Sequence, residues 1–224
     1  MKTHDIPDAL AIVQRHDDWL SKPGWCDEVS GTQANAQAAT DAGAWPFIEA
    51  NHRCNALLWQ QEDLARRTRV SDGEIAANKR AIDRLNQQRH EATERLDEWL
   101  LVALGLVDAK SARTDEPVAR APAGARLNSE TAGSMVDRLS ILALKLHAMR
   151  AQVARSDVDD AHRATSARRV AQLQRQRDDL CACLAELLRD AQAGRAYFKV
   201  YREFKMYNDP RFNPQLVAEA TKRP

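Results

Sequence analysis

The sequence predicts an all-α fold, an antiparallel bundle of four to five long helices with a mobile connector. Glycine and proline number only eight each in 224 residues and fall in clusters, so long stretches run without a helix breaker. Within those stretches apolar residues recur at spacings of three and four, which lays a stripe along one side of a helix. No segment reads convincingly as a strand or as an internal repeat.

An opening helix is expected over residues 8–20, followed by a loop over 21–46 punctuated by Pro23, Gly24, Gly31, Gly43 and Pro46. A second helix should run over about 47–69. Ser71 or Asp72 caps a third that reaches about Leu106. Pro117, Pro122 and Gly124 mark a connector over about 107–127, and its lack of apolar periodicity over 112–126 predicts mobility. Asn128 or Ser129 is read as the cap of a fourth helix ending near Ser156, and Asp157 or Asp159 as the cap of a fifth that stops before Gly194. A short helix is expected over 195–208, and a tail over 209–224 holds Pro210 and Pro214. In domain terms, residues 1–46 pack on a bundle domain of 47–208.

Composition narrows the function classes. Lys and Arg total 33 against 32 Asp and Glu, a formal net charge of +1, which argues against a nucleic-acid partner because such proteins need surplus cations to displace counterions. The first twenty residues hold Asp5, Asp8, Asp17 and Asp18 and no continuous apolar run, so neither a signal peptide nor a membrane partner is expected, and the expected compartment is the cytoplasm. The four cysteines (Cys26, Cys54, Cys181, Cys183) are expected as reduced thiols; none belongs to a C-x-x-C pair, so no metal site is expected. Motifs for nucleotide loops, zinc proteases and serine hydrolases are absent. No cofactor is indicated.

Polar residues on apolar helix faces supply the candidate site. On the third helix Ile75, Ile82, Leu85, Leu96, Trp99 and Leu100 share a face, and Arg89 falls near its centre. A guanidinium facing a core is costly unless a carboxylate or an anionic ligand meets it. On the second helix Asn51, Asn55 and Glu62 flank the stripe Phe47, Cys54, Leu58 and Ala65. On the fourth, Ser134, Arg138 and Lys145 flank the stripe Met135, Leu139, Leu142, Leu146, Met149 and Val153, which marks that helix as central. Gathered together, Asn55, Glu62, Asn86, Arg89, Glu130, Ser134 and Arg138 form a candidate pocket for an anionic ligand, with Arg89 and Arg138 holding the anion and Glu62 as the candidate base. The bland alternative is an internal Arg89–Glu62 salt bridge. Residues 129–134 resemble an anion-binding helix start, or a plain N-cap. Arg177, inside the apolar stripe of the fifth helix, and Lys199, Arg202 and Lys205, among the aromatics of 195–208, are secondary candidates. Docking by those aromatics, and snorkelling of Arg177 to the bundle end, are their bland readings.

The string Asn55-Ala56-Leu57-Leu58-Trp59-Gln60-Gln61-Glu62-Asp63-Leu64-Ala65-Arg66 resembles the N-x-x-L-W-H-x-E-D-x-A-R signature of a bacterial family, domain of unknown function 4254. The resemblance continues through Lys79–Asp83, Asn86–Arg89, Asn128–Ser134, Asp137–Leu142 and Tyr201–Asp209. It implies an all-helical fold and a gene encoded beside glycosyltransferases of envelope polysaccharide assembly, and it carries over no established activity. Gln60 stands where the family has His, His90-Glu91 where it has Asn-Asp, and His147-Ala148 where it has Tyr-His, which implies a diverged member.

Three function classes follow. The first is a bundle protein with a polar pocket for a sugar phosphate or nucleotide sugar. The second is an interaction protein whose partner is a glycosyltransferase-like enzyme or a second copy. The third is an all-helical mutase or nucleotide pyrophosphohydrolase-like enzyme, since Lys79–Asn86 resembles a chorismate mutase first helix, R-x-x-I-D-x-x-D.

Overall fold

Helix ends in this protein follow the side chains and glycines that satisfy orphan backbone groups. The computed structural model describes residues 6–26, 43–202, 206 and 209–221. Helix α1 (Ala9–Leu20) is capped by Asp8, whose carboxylate accepts from Leu10 N at 2.7 Å. Helix α2 (Trp45–Leu64) carries Pro46 in its first turn, where no backbone N–H is required. Helix α3 (Asp72–Ala103) opens with a reciprocal capping box between Ser71 and Glu74. Thr131 caps α4 (Ala132–Val153), and Asp159 caps α5 (Asp160–Gln192). Past α3 and α5 the chain turns at Gly105 and Gly194, both at positive φ. There Leu106 N and Arg195 N donate back to the Leu101 and Asp190 carbonyls, each at 2.8 Å, which closes the helix ends.

Helices α2 and α3, joined by residues 65–71, and α4 and α5, joined by residues 154–159, form the two most extensive helix contacts. Helix α4 also meets α1, α2 and α3, so it lies at the centre, as its wide apolar stripe predicts. Its Met135, Val136 and Leu139 join Ile48, Leu96, Leu101, Leu184 and Phe198 in the main core. At about 2 kcal/mol for each large apolar side chain, this burial is the chief force holding the bundle. A smaller cluster of Leu58, Ile82 and Leu85 closes the far end of the α2–α3 hairpin. Among the described residues no helix is long and apolar enough to cross a membrane. All four cysteines are free thiols.

The structure corrects several boundaries. Helix α2 stops at Leu64 and α3 at Ala103, short of their expected ends. Asn128 does not cap α4: its N–H donates to the Tyr197 carbonyl at 2.8 Å and its side chain donates to the Glu130 carbonyl. Nor is the chain without strands, since β1 (Arg126–Leu127) pairs in parallel with β2 (Ala196–Tyr197). The helix expected from residue 195 is therefore not formed through Arg202. Ala196 and Phe198 are buried while Tyr197 between them and Lys199 after them are less so, an alternation that fits extended chain. Phe204, Lys205, Tyr207 and Asn208 lie outside the described residues.

The connector is anchored at both ends. Arg120 N donates to the Leu106 carbonyl at 2.7 Å, beside a bridge between Val107 and Ala119. Arg202 reaches across to the Ala112 and Thr114 carbonyls, each at 3.0 Å, while its other nitrogen meets Glu94 at 2.8 Å and buried Glu98 at 2.6 Å. One guanidinium thus ties the chain after β2 to α3 and to the connector. By contrast, α6 (Pro214–Thr221) buries none of its residues.

Arg202→Ala leaves the Glu98 carboxylate with Arg95 alone and removes both carbonyl ties. We predict a loss of about 3 kcal/mol in denaturant unfolding, together with new trypsin cleavage after Arg113 in the folded protein.

Candidate functional site

A layer of polar side chains crosses the bundle between the main core and the Leu58–Ile82–Leu85 cluster. The Asp137 carboxylate of α4 accepts from the Asn51 and Asn55 amides of α2, each at 2.8 Å. Asn51 also donates to Thr93 at 3.1 Å, and Asn55 to Ser140 at 3.0 Å. Ser140 is hydrogen-bonded to His52 Nδ1 at 2.7 Å. The His52 ring stacks on His16 from α1, with centroids 4.4 Å apart. Both imidazoles are fully buried, and among the described residues His52 Nε2 and both His16 nitrogens find no side-chain hydrogen-bond partner. Burial lowers His52 to about 3 and carries His16 well below its ordinary value, with nearby Arg177 and His52 adding to the shift of His16. Both rings are therefore neutral near pH 7.

Arg89 enters this layer from α3. Its guanidinium lies 4.0 Å from Asp137 and 3.1 Å from His90 Nε2. It borders a cleft of about 350 Å³ between α2, α3 and α4, lined also by Asn55, Trp59, Glu62, Arg66 and Asn86. Four of the seven ligand-binding candidates (Asn55, Glu62, Asn86 and Arg89) thus converge. The alternative, an internal Arg89–Glu62 salt bridge, is not formed, because Glu62 pairs with Arg66 one turn along α2, at 2.6 Å.

Arg138 does not join them. It pairs with Glu130 at 2.6 Å and lines a different cleft, of about 660 Å³ between α4 and α5, with Lys145 and Asp179. Ser134 hydrogen-bonds to Thr131 at the start of α4. That helix start is already occupied by a carboxyl group: buried Asp97 of α3 accepts from Gly133 N at 2.6 Å. A plain cap is therefore what residues 129–134 supply. Burial pushes the Asp97 carboxyl up to about 7, against its bonds to Thr131 and Gly133 and with help from Glu94 and Glu98.

The secondary candidates are structural in their contacts. Arg177 is buried and meets both Asp17 oxygens, at 2.8 and 2.9 Å, rather than reaching the bundle end. Arg202 is the connector clamp described above. Lys199 lies 6.0 Å from the Tyr197 ring centroid, and Lys205 is outside the described residues.

Residues of this layer that the helix faces did not single out are His16, Asp137 and Ser140, while Asp97 read only as part of a polar edge stripe. A signal existed for Asp97, an acid two residues before Trp99 on a helix whose other buried positions are mostly apolar. None existed for the His16–His52 pair, which belongs to different helices. Gln60, His147 and Ala148, where the chain departs from the resembled signature, line one further hollow together with Trp19, Trp25 and Trp59. Among the described residues no three His, Cys, Asp or Glu side chains are grouped to hold a metal ion.

Comparison with known proteins gives one finding. The model of a family described as protein of unknown function (DUF4254) matches residues 45–200. No curated protein and no solved structure matches the chain.

Two substitutions test the α4 start. A Cβ at Gly133 would sit 2.8 Å from both the Asp97 carboxyl and the Thr93 carbonyl, so Gly133→Ala should cost about 1–3 kcal/mol. For Asp97 the folded value of about 7 exceeds the unfolded 3.8, so the folded state holds the proton more tightly. Its contribution is then fully present below pH 3.8 and lost as pH rises through 7. The stability of wild type minus that of Asp97→Asn should fall between pH 4 and 8. The buried histidines titrate in both proteins and cancel in this difference. A gap that is flat or widens with pH would remove the assignment.

Proposed function

The chain belongs to this family of unknown function, and we propose that it binds a small anionic metabolite in the cleft between α2, α3 and α4. A sugar phosphate or nucleotide sugar is the class its sequence resemblance points to. One observation carries the reading: Arg89, 22% exposed at its side chain on an otherwise apolar helix face, has its carboxylate partner no nearer than 4.0 Å. A guanidinium so placed keeps its capacity for a bidentate anion contact, and partial burial strengthens that contact. The Asn86 amide lines the same cleft without a hydrogen-bond partner among the described residues. Glu62 is turned to Arg66 and does not neutralise Arg89. In this reading Arg89 and Asn86 hold the anion, and Arg138 takes no part.

A second reading, a protein that docks a partner or a second copy of itself, is favoured by the C-terminal segment. Helix α6 buries nothing, and Phe212 and Val217 are exposed. Loss of self-association or partner capture on deleting residues 209–224, with ligand binding unchanged, would support it.

The deciding experiment is thermal melting of wild type and Arg89→Met, alone and with a panel of phosphates, sugar phosphates and nucleotide sugars. Without ligand the substitution should cost less than about 1.5 kcal/mol, because Asp137 keeps both asparagine amides. With ligand at a hundredfold its dissociation constant, wild type should gain about 2.7 kcal/mol and the variant nothing. A loss of about 3–5 kcal/mol in the variant, with no panel member raising the wild-type midpoint, marks Arg89 as a structural ion-pair member and overturns the reading.

A further inference from the structure

Next to the arginine-bearing cleft lies a hollow of about 180 Å³ walled by Trp19, Trp25 and Trp59. Trp59 and Leu144 line both spaces, so the two share one wall. At this volume the hollow is smaller than a whole ligand site, which usually measures about 300–1,000 Å³, and suits one ring of a larger molecule.

Its aromatic wall is fixed in place. Trp19 and Trp25 stack nearly parallel, with centroids 5.8 Å apart and 9° between planes. The Arg53 guanidinium lies 4.8 Å from the Trp25 ring and donates to the Trp25 carbonyl, and the Trp25 indole N–H reaches Glu49 at 3.3 Å. Behind them the neutral His52 ring stands 4.9 Å from Trp25. Trp59, in contrast, is 37% exposed, a large indole left partly open to solvent at the junction of the two spaces. Polar groups also line the hollow: Lys22, His147 and Gln60, whose amide donates among the described residues to the weak acceptor Cys26 Sγ at 3.4 Å.

We infer that this hollow seats a ring of the ligand whose anionic group meets Arg89. The ligand class is then a phosphate ester of a ring-bearing group, a nucleotide or a glycosyl phosphate, and acyclic phosphates are discriminated against. The inference rests on the anion reading of the Arg89 cleft. Indole faces stack on nucleobases and on the apolar faces of sugar rings alike, while Gln60, His147 and Lys22 meet hydroxyl or carbonyl groups at the ring's edge. Stacking on walls already fixed by other contacts loses little ordering entropy, which makes the aromatic contribution additive to the anion's.

The test is calorimetric titration of wild type, Arg89→Met, Trp59→Leu and Trp59→Phe. The titrants are inorganic phosphate, glycerol 3-phosphate, glucose 1-phosphate, uridine 5′-monophosphate and two uncharged rings, uridine and methyl glucoside. Circular dichroism melts establish that each variant is folded. At least one ring ester should bind wild type about tenfold tighter than glycerol 3-phosphate. Trp59→Leu should erase that advantage and leave phosphate affinity unchanged, Trp59→Phe should restore part of it, and Arg89→Met should weaken every phosphate. Which of the two ring esters holds the advantage separates a nucleobase from a sugar. Equal affinity for ring and acyclic esters, or an advantage that survives Trp59→Leu, overturns the ring seat and leaves the anion reading standing. Binding of the uncharged rings alone, insensitive to Arg89→Met, overturns the anion reading and leaves the aromatic seat. No binding by any titrant overturns both.

Discussion

Asp137 accepts two asparagine amides from α2 at 2.8 Å and faces Arg89 of α3 at 4.0 Å, so three helices meet on one carboxylate. The apolar stripes to either side, the main core and the Leu58–Ile82–Leu85 cluster, tolerate small slips between helices because dispersion is not directional. A carboxylate with two fixed donors does not tolerate them. Sliding α4 by one turn would strand Asp137, Asn51 and Asn55 together in a region with little water, and each unsatisfied group costs about 1–3 kcal/mol. The polar layer therefore sets the register in which the apolar residues pack. The clefts on either side of α4 inherit their shapes from that register.

The other arginines singled out from the sequence are held by close pairing. Arg177 has Asp17 at 2.8 Å, Arg202 has Glu98 at 2.6 Å, and Arg138 has Glu130 at 2.6 Å. Asp97 lies against Gly133 at the start of α4, where the helix dipole favours a negative charge. Each of these contacts joins segments distant in sequence or closes a helix end, and each uses the geometry a ligand would need. Arg89 differs in that its carboxylate is a full ångström farther away and that carboxylate already has two donors. Comparison among the arginines, more than the presence of a cleft, distinguishes Arg89.

The bundle was legible because its signals are local. Ser71, read as a cap beside Asp72, and Asp159, read beside Asp157, serve as caps, and Gly194 reads as a stop and serves as one. Arg89 was legible for the same reason, since a cation between Ile82, Leu85 and Leu96 violates the pattern of its own helix. What the pattern of one helix does not contain is the identity of its neighbour. Arg138 lies on the flank of α4 that turns to α5, while Asp137 beside it turns to α2 and α3, a rotation of about 100° that assigns adjacent residues to different clefts. His16 and His52 meet only through the docking of α1, which no spacing encodes. Residues 195–202 were misread because aromatics and cations alternating at two also land at three and four, and the pairing of β2 with β1 decides between the periods.

The layer also connects the two hollows on either side of Trp59. From Arg89 the path runs through Asp137, Asn55, Ser140 and His52 to the Trp25 ring, each step a hydrogen bond, an ion pair or a ring contact. A ligand anion that draws the guanidinium away from Asp137 leaves that carboxylate with both asparagine amides, so the remainder of the path keeps its partners. Had Arg89 been the sole partner of Asp137, the same movement would expose a buried charge, and binding would be opposed by about 3–5 kcal/mol. Because the amides hold Asp137 independently, Arg89 is held near the cleft without being indispensable to the layer. In the proposed reading, that division of labour frees one arginine for a ligand while the register of three helices rests on its neighbours.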